Sequence, residues 1–181
     1  MISLKTPNGL DVQVPETSSE DVSTKFTLEQ KWEANEYYKA HGYVIFKGVI
    51  DKKVCKAVRS VWDVEVKPSK KYIYRQATAK SELNVLNKNG WVMNPIINLQ
   101  SLNPKYFGEI RESAVNDVLG SVNIQACFEA LLGEKPKIVQ SMYFEGNSAT
   151  WEHQDTYYLD AEKLGDMSAA WVALEDISAK A

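Results

Sequence analysis

The chain has 181 residues, 44% hydrophobic and 25% charged, which is the length of one domain with enough apolar content to bury a core. Twenty-four acidic against 21 basic residues give a net charge of −3, which offers nucleic acid or an anionic membrane no electrostatic attraction. Two cysteines are too few for a disulfide scaffold, and no apolar stretch approaches the length of a membrane span, so the sequence predicts a soluble protein of the reducing cytoplasm.

Residues 1–26 are polar and punctuated by Pro7, Asn8-Gly9 and Pro15. They read as a loosely held arm or a short edge hairpin, and residues 27–181 as a single domain. Thr27 followed by Gln30 is a capping-box pattern that starts a helix, and Gly42 stops it, leaving His41 at the carbonyl end. Tyr43-Val44-Ile45-Phe46 then has the composition of a short buried strand.

Asp51 caps a second helix, whose Val54, Cys55, Val58, Val61 and Trp62 recur at three- and four-residue steps up to Pro68. The Lys67, Lys70, Lys71 stretch after it reads as a solvated loop. Tyr72 to Gln100 is weakly patterned, with a turn at Asn89-Gly90 and a strand-breaking Pro95. Ile124, Cys127, Phe128, Leu131 and Leu132 restore the helical spacing until Gly133 and Pro136.

The period then changes to two. Ile138, Gln140, Met142 and Phe144 alternate with Val139, Ser141 and Tyr143, which predicts a strand with the first set facing inward. Turn signals follow at Gly146-Asn147 and Gly165-Asp166, and Ala169 to Ile177 is an apolar run of strand length. Helices followed by strands predict an α+β fold.

The chemistry concentrates in Trp151-Glu152-His153-Gln154-Asp155-Thr156-Tyr157-Tyr158, which holds one of only two histidines. His153 and Asp155 are two positions apart, so an extended segment presents both on one face. An imidazole beside a carboxylate supplies two members of the 2-His-1-carboxylate set that binds non-haem iron, and a zinc hydrolase can use such a pair too. The flanking aromatics Trp151, Tyr157 and Tyr158 would keep water from a metal and hold its ligands in place. No histidine follows the pair, and His41 reads as a helix-terminal residue.

Three blocks in order, His41 to Ile50, His153-Gln154-Asp155 with Tyr157-Tyr158-Leu159, and Ala170 to Ile177, together resemble the phytanoyl-CoA dioxygenase family of Fe(II)/2-oxoglutarate-dependent oxygenases. The resemblance implies a double-stranded β-helix (jelly roll) with N-terminal helices packed on one sheet. It implies His153 and Asp155 as catalytic iron ligands, with Trp171 and Gln154 at the 2-oxoglutarate pocket and Gln140 and Met142 as further lining. It further implies hydroxylation of a small organic substrate with O2, while 2-oxoglutarate is decarboxylated to succinate and CO2. Family substrates include acyl-CoA thioesters, compatible solutes and secondary metabolites. Tyr72, Tyr74, Trp91 and Asn98 are candidates to line a substrate pocket.

In the family the distal histidine and the arginine for the 2-oxoglutarate carboxylate follow the Trp-containing strand, whereas this sequence ends at Ser178-Ala179-Lys180-Ala181. Arg59, Arg75 and Arg111 are not placed to substitute for that arginine. The expectation is therefore a C-terminally truncated jelly roll, inactive by itself, whose open strand edges favour self-association. The alternative is a non-catalytic, degenerate jelly roll that serves as an interaction module.

Overall fold

The computed structural model describes residues 1–6, 8–17, 19–146, 153–155, 159, 161–163 and 166–177. The architecture is mixed α+β, as expected, with helices joined to small antiparallel sheets. Strands β1 (Ile2–Lys5) and β2 (Asp11–Val14) form the N-terminal hairpin, with Gly9 in the left-handed region at φ 78° closing its turn. The Met1 amine ties the hairpin to the carboxylate of Glu20 at 2.8 Å.

The first predicted helix begins as a 3-10 turn, Leu28–Gln30, where the Thr27 amide donates to Gln30 Oε1 at 3.1 Å. It continues as α1 (Lys31–His41) and ends at Gly42, whose φ of 76° lets its amide donate back to the Tyr38 carbonyl at 2.8 Å. His41 is the last helical residue, as expected. The buried strand expected at Tyr43–Phe46 does not form. A single parallel bridge joins Phe46 to Phe26, and Tyr43 is exposed, because no second strand lies alongside to bury the run.

Helix α2 (Lys52–Val61) is capped by Asp51, which accepts from the Lys53 amide at 2.7 Å. It runs on into a π-helical stretch, Trp62–Val66, where the Lys67 amide reaches the Trp62 carbonyl. The sequence explains the widened turn. Val58, Trp62 and Val66 are all buried at steps of four. An α-helix of 3.6 residues per turn rotates such a stripe by about 40° per step, and a wider turn reduces that drift.

The same device recurs in a helix that the sequence reading did not anticipate. Here α3 (Gly108–Ile110) leads into a nine-residue π-helical stretch, Arg111–Leu119, and Ile110, Ala114 and Val118 are buried at four-residue steps. The Glu65 carboxylate joins the two π-helical regions by accepting from the Glu109 and Ile110 amides at 3.1 and 2.8 Å, two donors the α3 start cannot satisfy internally. Helix α4 (Val122–Leu132) follows as predicted, ends at Gly133 and is tied to α1 by a bond from Asn35 Nδ2 to the Ala130 carbonyl.

Between the helices, β3 (Ile73–Tyr74) pairs with β4 (Ser81–Glu82), and β5 (Ile96–Ile97) pairs with β6 (Met142–Tyr143). An antiparallel bridge from Arg75 to Ile96 joins the two sheets. The Asn89-Gly90 turn lies in a tight loop closed by the Leu86–Val92 bridge.

Two predictions about strands need correction. Only Met142–Tyr143 of the expected Ile138–Phe144 strand joins a ladder, and its facing is inverted. Ser141 and Tyr143 are buried while Met142 is exposed, because Tyr143 stacks on Trp62 at 3.9 Å and 12° and Ser141 Oγ accepts from the Leu99 amide at 3.0 Å. Ala169 to Ile177 forms no ladder among the described residues. It still alternates, with Val172 and Leu174 packed on the core and Trp171, Ala173 and Glu175 outward. Its anchors are a 2.7 Å ion pair from Arg59 to Glu175 and a 4.0 Å contact from Cys55 Sγ to the Ala173 carbonyl. Both cysteines are free thiols. Among the described residues no helix is long and apolar enough to cross a membrane.

Candidate metal centre

The strands β3, β5 and β6, with the Arg75 bridge, sort their side chains into two rows. Arg75, Ile96 and Tyr143 form the inner row, with exposures of 0%, 0% and 8%. Ile97 pairs with Met142, and the same antiparallel register sets Tyr74 beside Ile97, giving an outer row of Tyr74, Ile97 and Met142.

Arg75 anchors the inner row. Its Nη1 donates to the Asn94 carbonyl at 2.9 Å, and its Nη2 donates to Asn84 Oδ1 at 2.6 Å. Asn84 in turn donates to the Val66 and Lys67 carbonyls at 2.7 and 3.0 Å, which satisfies the end of the π-helical turn. Burial lowers the guanidinium pKa from its ordinary value. Arg75 is therefore a structural centre facing the core. Arg111 likewise spends its Nη1 on the Gln100 and Leu102 carbonyls.

Beyond β6, the Glu145 carboxylate clamps the chain where it leaves the sheet. One oxygen accepts from Lys67 Nζ at 2.5 Å and the other from the Val92 amide at 2.7 Å. That hydrogen bond raises the Lys67 pKa. Gly146 sits so close to the neighbouring loop that a Cβ there would meet Met93 Sδ at 2.5 Å and Trp91 Cβ at 3.3 Å. The sequence marked Gly146 as a turn residue; this close approach is a further requirement for glycine. Asn147, Trp151, Tyr157, Tyr158 and Gly165, singled out in the sequence, lie outside the described residues.

His153 and Asp155 come together as their spacing predicts. Nε2 of His153 lies 3.2 Å from Oδ1 of Asp155, with the side chains 42% and 58% exposed. The Leu159 amide donates to the Asp155 carbonyl at 2.9 Å. Gln154, between the two, is exposed. Trp171 is 81% exposed and stacks on Phe144 at 5.1 Å and 20°. Phe144 was not predicted to matter beyond its place in the strand; its signal was the two-residue step from Met142. Gln140 is half-buried. Of the other pocket candidates, Tyr72 is exposed, Trp91 lies against Gly146, and Asn98 adopts φ 58° and donates from its amide to the Ser141 carbonyl at 2.6 Å.

A nitrogen and a carboxylate oxygen this close can both bind one divalent cation, so the donor chemistry fits iron at two positions. Among the described residues no group of three His, Cys, Asp or Glu side chains gathers at one place. A depression of about 310 Å³ lined by Lys31, Trp32, Asn35, Glu36, Lys39 and Ala130 involves none of the site residues.

A mixed α+β body carrying an imidazole–carboxylate pair holds two of the donor types a non-haem metal centre uses. Comparison with protein families makes the assignment specific. The family model described as Phytanoyl-CoA dioxygenase (PhyH) matches residues 38–181, and the chain belongs to that family. No curated protein and no solved structure matches it.

Proposed function

We propose that the chain carries the iron-binding half of an Fe(II)/2-oxoglutarate-dependent hydroxylase of the jelly-roll type, acting on a small organic substrate. The 3.2 Å approach of His153 Nε2 to Asp155 Oδ1, within a segment the family model covers, carries this reading. Iron with 2-oxoglutarate and O2 would supply the oxidising power for C–H hydroxylation, the keto acid leaving as succinate and CO2. His153 and Asp155 would hold the ion as imidazole nitrogen and carboxylate oxygen. Gln154, the residue between them, offers an amide to the co-substrate. The Trp171 ring, braced on Phe144, offers an apolar wall that excludes water, and Met142 and Gln140 extend the lining.

With two protein donors among the described residues, this chain alone binds the ion weakly and turns over nothing. Titration with Mn(II), followed by loss of the free-ion electron paramagnetic resonance signal, tests the reading. The expected result is weak, saturable binding that His153→Ala and Asp155→Ala each abolish. Binding indifferent to both substitutions would sink it and favour a non-catalytic jelly roll.

A further inference from the structure

We infer that Asn8 is a site of spontaneous covalent modification, converting slowly to aspartate and iso-aspartate, and that the fold shields the chemically equivalent Asn89 from the same reaction. This is independent of the metal reading. The sequence holds two Asn-Gly pairs, Asn8-Gly9 and Asn89-Gly90, which as dipeptides are alike. In each, the glycine nitrogen can attack the asparagine side-chain carbonyl carbon, because glycine has no Cβ to crowd the approach. Hydroxide takes the proton of the glycine amide, the new C–N bond closes a succinimide ring, and the side-chain nitrogen leaves as ammonia after taking a proton from water. Water then opens the ring at either carbonyl. The sum is asparagine and water in, aspartate or iso-aspartate and ammonia out, with no change of oxidation state.

Three observations separate the two sites. First, both glycine amides are tied in a turn, Gly9 to the Thr6 carbonyl at 2.8 Å and Gly90 to the Asn87 carbonyl at 2.9 Å, so attack requires the turn to open. Second, little holds the first turn shut. No residue of β1 or β2 is buried, and the two strands pack chiefly on each other. The Met1–Glu20 pair ties the far end of the hairpin and not its turn. A two-stranded hairpin of this kind is marginal by itself and opens locally at small cost. Third, the second turn is locked from several sides. Asn87 Oδ1 accepts from the Asn89 and Trp91 amides at 2.9 and 3.0 Å, and the Asn87 amide donates to the Trp91 carbonyl at 3.0 Å. Beside it, Val92 is 1% exposed and Glu145 Oε2 holds its amide at 2.7 Å. Opening there breaks these bonds together and uncovers Val92, so the reactive geometry is reached far less often. Iso-aspartate at position 8 would add a backbone carbon and a negative charge to the turn that the Lys5–Asp11 pair closes, and would spoil the register of the hairpin.

The test holds the full chain in mildly alkaline buffer, digests samples over time and follows both peptides by mass spectrometry, with a parallel sample in concentrated urea. In the folded chain Asn8 is expected to convert about tenfold faster than Asn89, and in urea the two rates are expected to converge. Asn87→Ala and Glu145→Ala are each expected to speed conversion of Asn89 several-fold while leaving Asn8 unchanged. Circular dichroism establishes which variants remain folded, and the comparison with urea stands without either. Asn89 converting as fast as Asn8 in the folded chain would overturn the inference. So would a difference that survives in urea, since neighbouring sequence and not the fold would then set it, or an Asn89 rate unchanged in a folded variant.

Discussion

Tyr143 lies flat against Trp62, their ring centroids 3.9 Å apart and their planes 12° from parallel, and this stack attaches the strand that leads to His153 to the helix that begins at Asp51. Among the described residues the indole Nε1 has no hydrogen-bond partner, so the contact works by area and packing. Trp62→Ala is expected to destabilise the chain by about 4 kcal/mol, and Trp62→Phe by much less, because it keeps a stacked ring and removes a buried donor left unpaired. Urea denaturation monitored by circular dichroism checks both; equal losses would show that the stack is not the source.

Asn84 has three bonds to lose. It accepts from the buried Arg75 guanidinium and donates to two carbonyls at the end of the π-helical turn. Asn84→Ala strands a buried charge as well as two acceptors, and a loss of about 3 kcal/mol is expected. Asn84→Asp is expected to retain part of it by pairing with Arg75 while losing both donated bonds. Thermal denaturation of the two variants separates them.

Alkaline pH should loosen the same region. Burial, reinforced by the carboxylates of Glu145 and Asp63, raises the Tyr143 phenol, and the bond from Glu145 raises the Lys67 ammonium. Both groups hold their protons longer in the folded state than in the unfolded one. Their contribution is therefore complete below about pH 10 and is lost as pH climbs through the raised folded values. Melting temperatures measured across pH 9 to 11.5 should fall at the upper end (about pH 10 onward), and less steeply in Tyr143→Phe. An identical slope in that variant would remove Tyr143 from the account.

Trp171 should separate stability from function. Its ring is mostly in solvent and stacks on Phe144, so Trp171→Ala is expected to cost no more than about 1 kcal/mol in urea denaturation. The same variant is expected to weaken 2-oxoglutarate binding to the Mn(II)-loaded chain, read by calorimetry. A large stability loss with unchanged keto-acid binding would make the residue a structural one.

Local signals placed the helices well. Thr27 with Gln30, Asp51, Gly42 and Gly133 start or stop elements where the backbone needs a cap or a positive φ, and such requirements act over a few residues. The pairing of His153 with Asp155 was legible for the same reason. The helix over 108–119 was not, because its buried positions Ile110, Ser113, Ala114 and Val118 mix small and polar residues with apolar ones and give a weak hydrophobic stripe. The facing of β6 was read backwards because Met142 and Phe144 look as apolar as any core pair. What decides it is non-local: Trp62, eighty-one positions before Tyr143, and the Leu99 amide that Ser141 satisfies. Tyr43–Phe46 had strand composition but met a single bridging partner, and composition carries no information about neighbours.

The sorting of β6 also has a consequence for how the chain can misfold. Its ladder with β5 is two residues long, so hydrogen bonding alone holds the alignment weakly. A slip of one residue would send Met142 into the slot against Trp62 and throw Tyr143 and the Ser141 hydroxyl out to water, leaving the Leu99 amide stranded. It would also rotate Phe144 away from Trp171 and dislodge the Glu145 clamp. One flat aromatic contact thus acts as the indexing pin that decides which side of β6 faces the core.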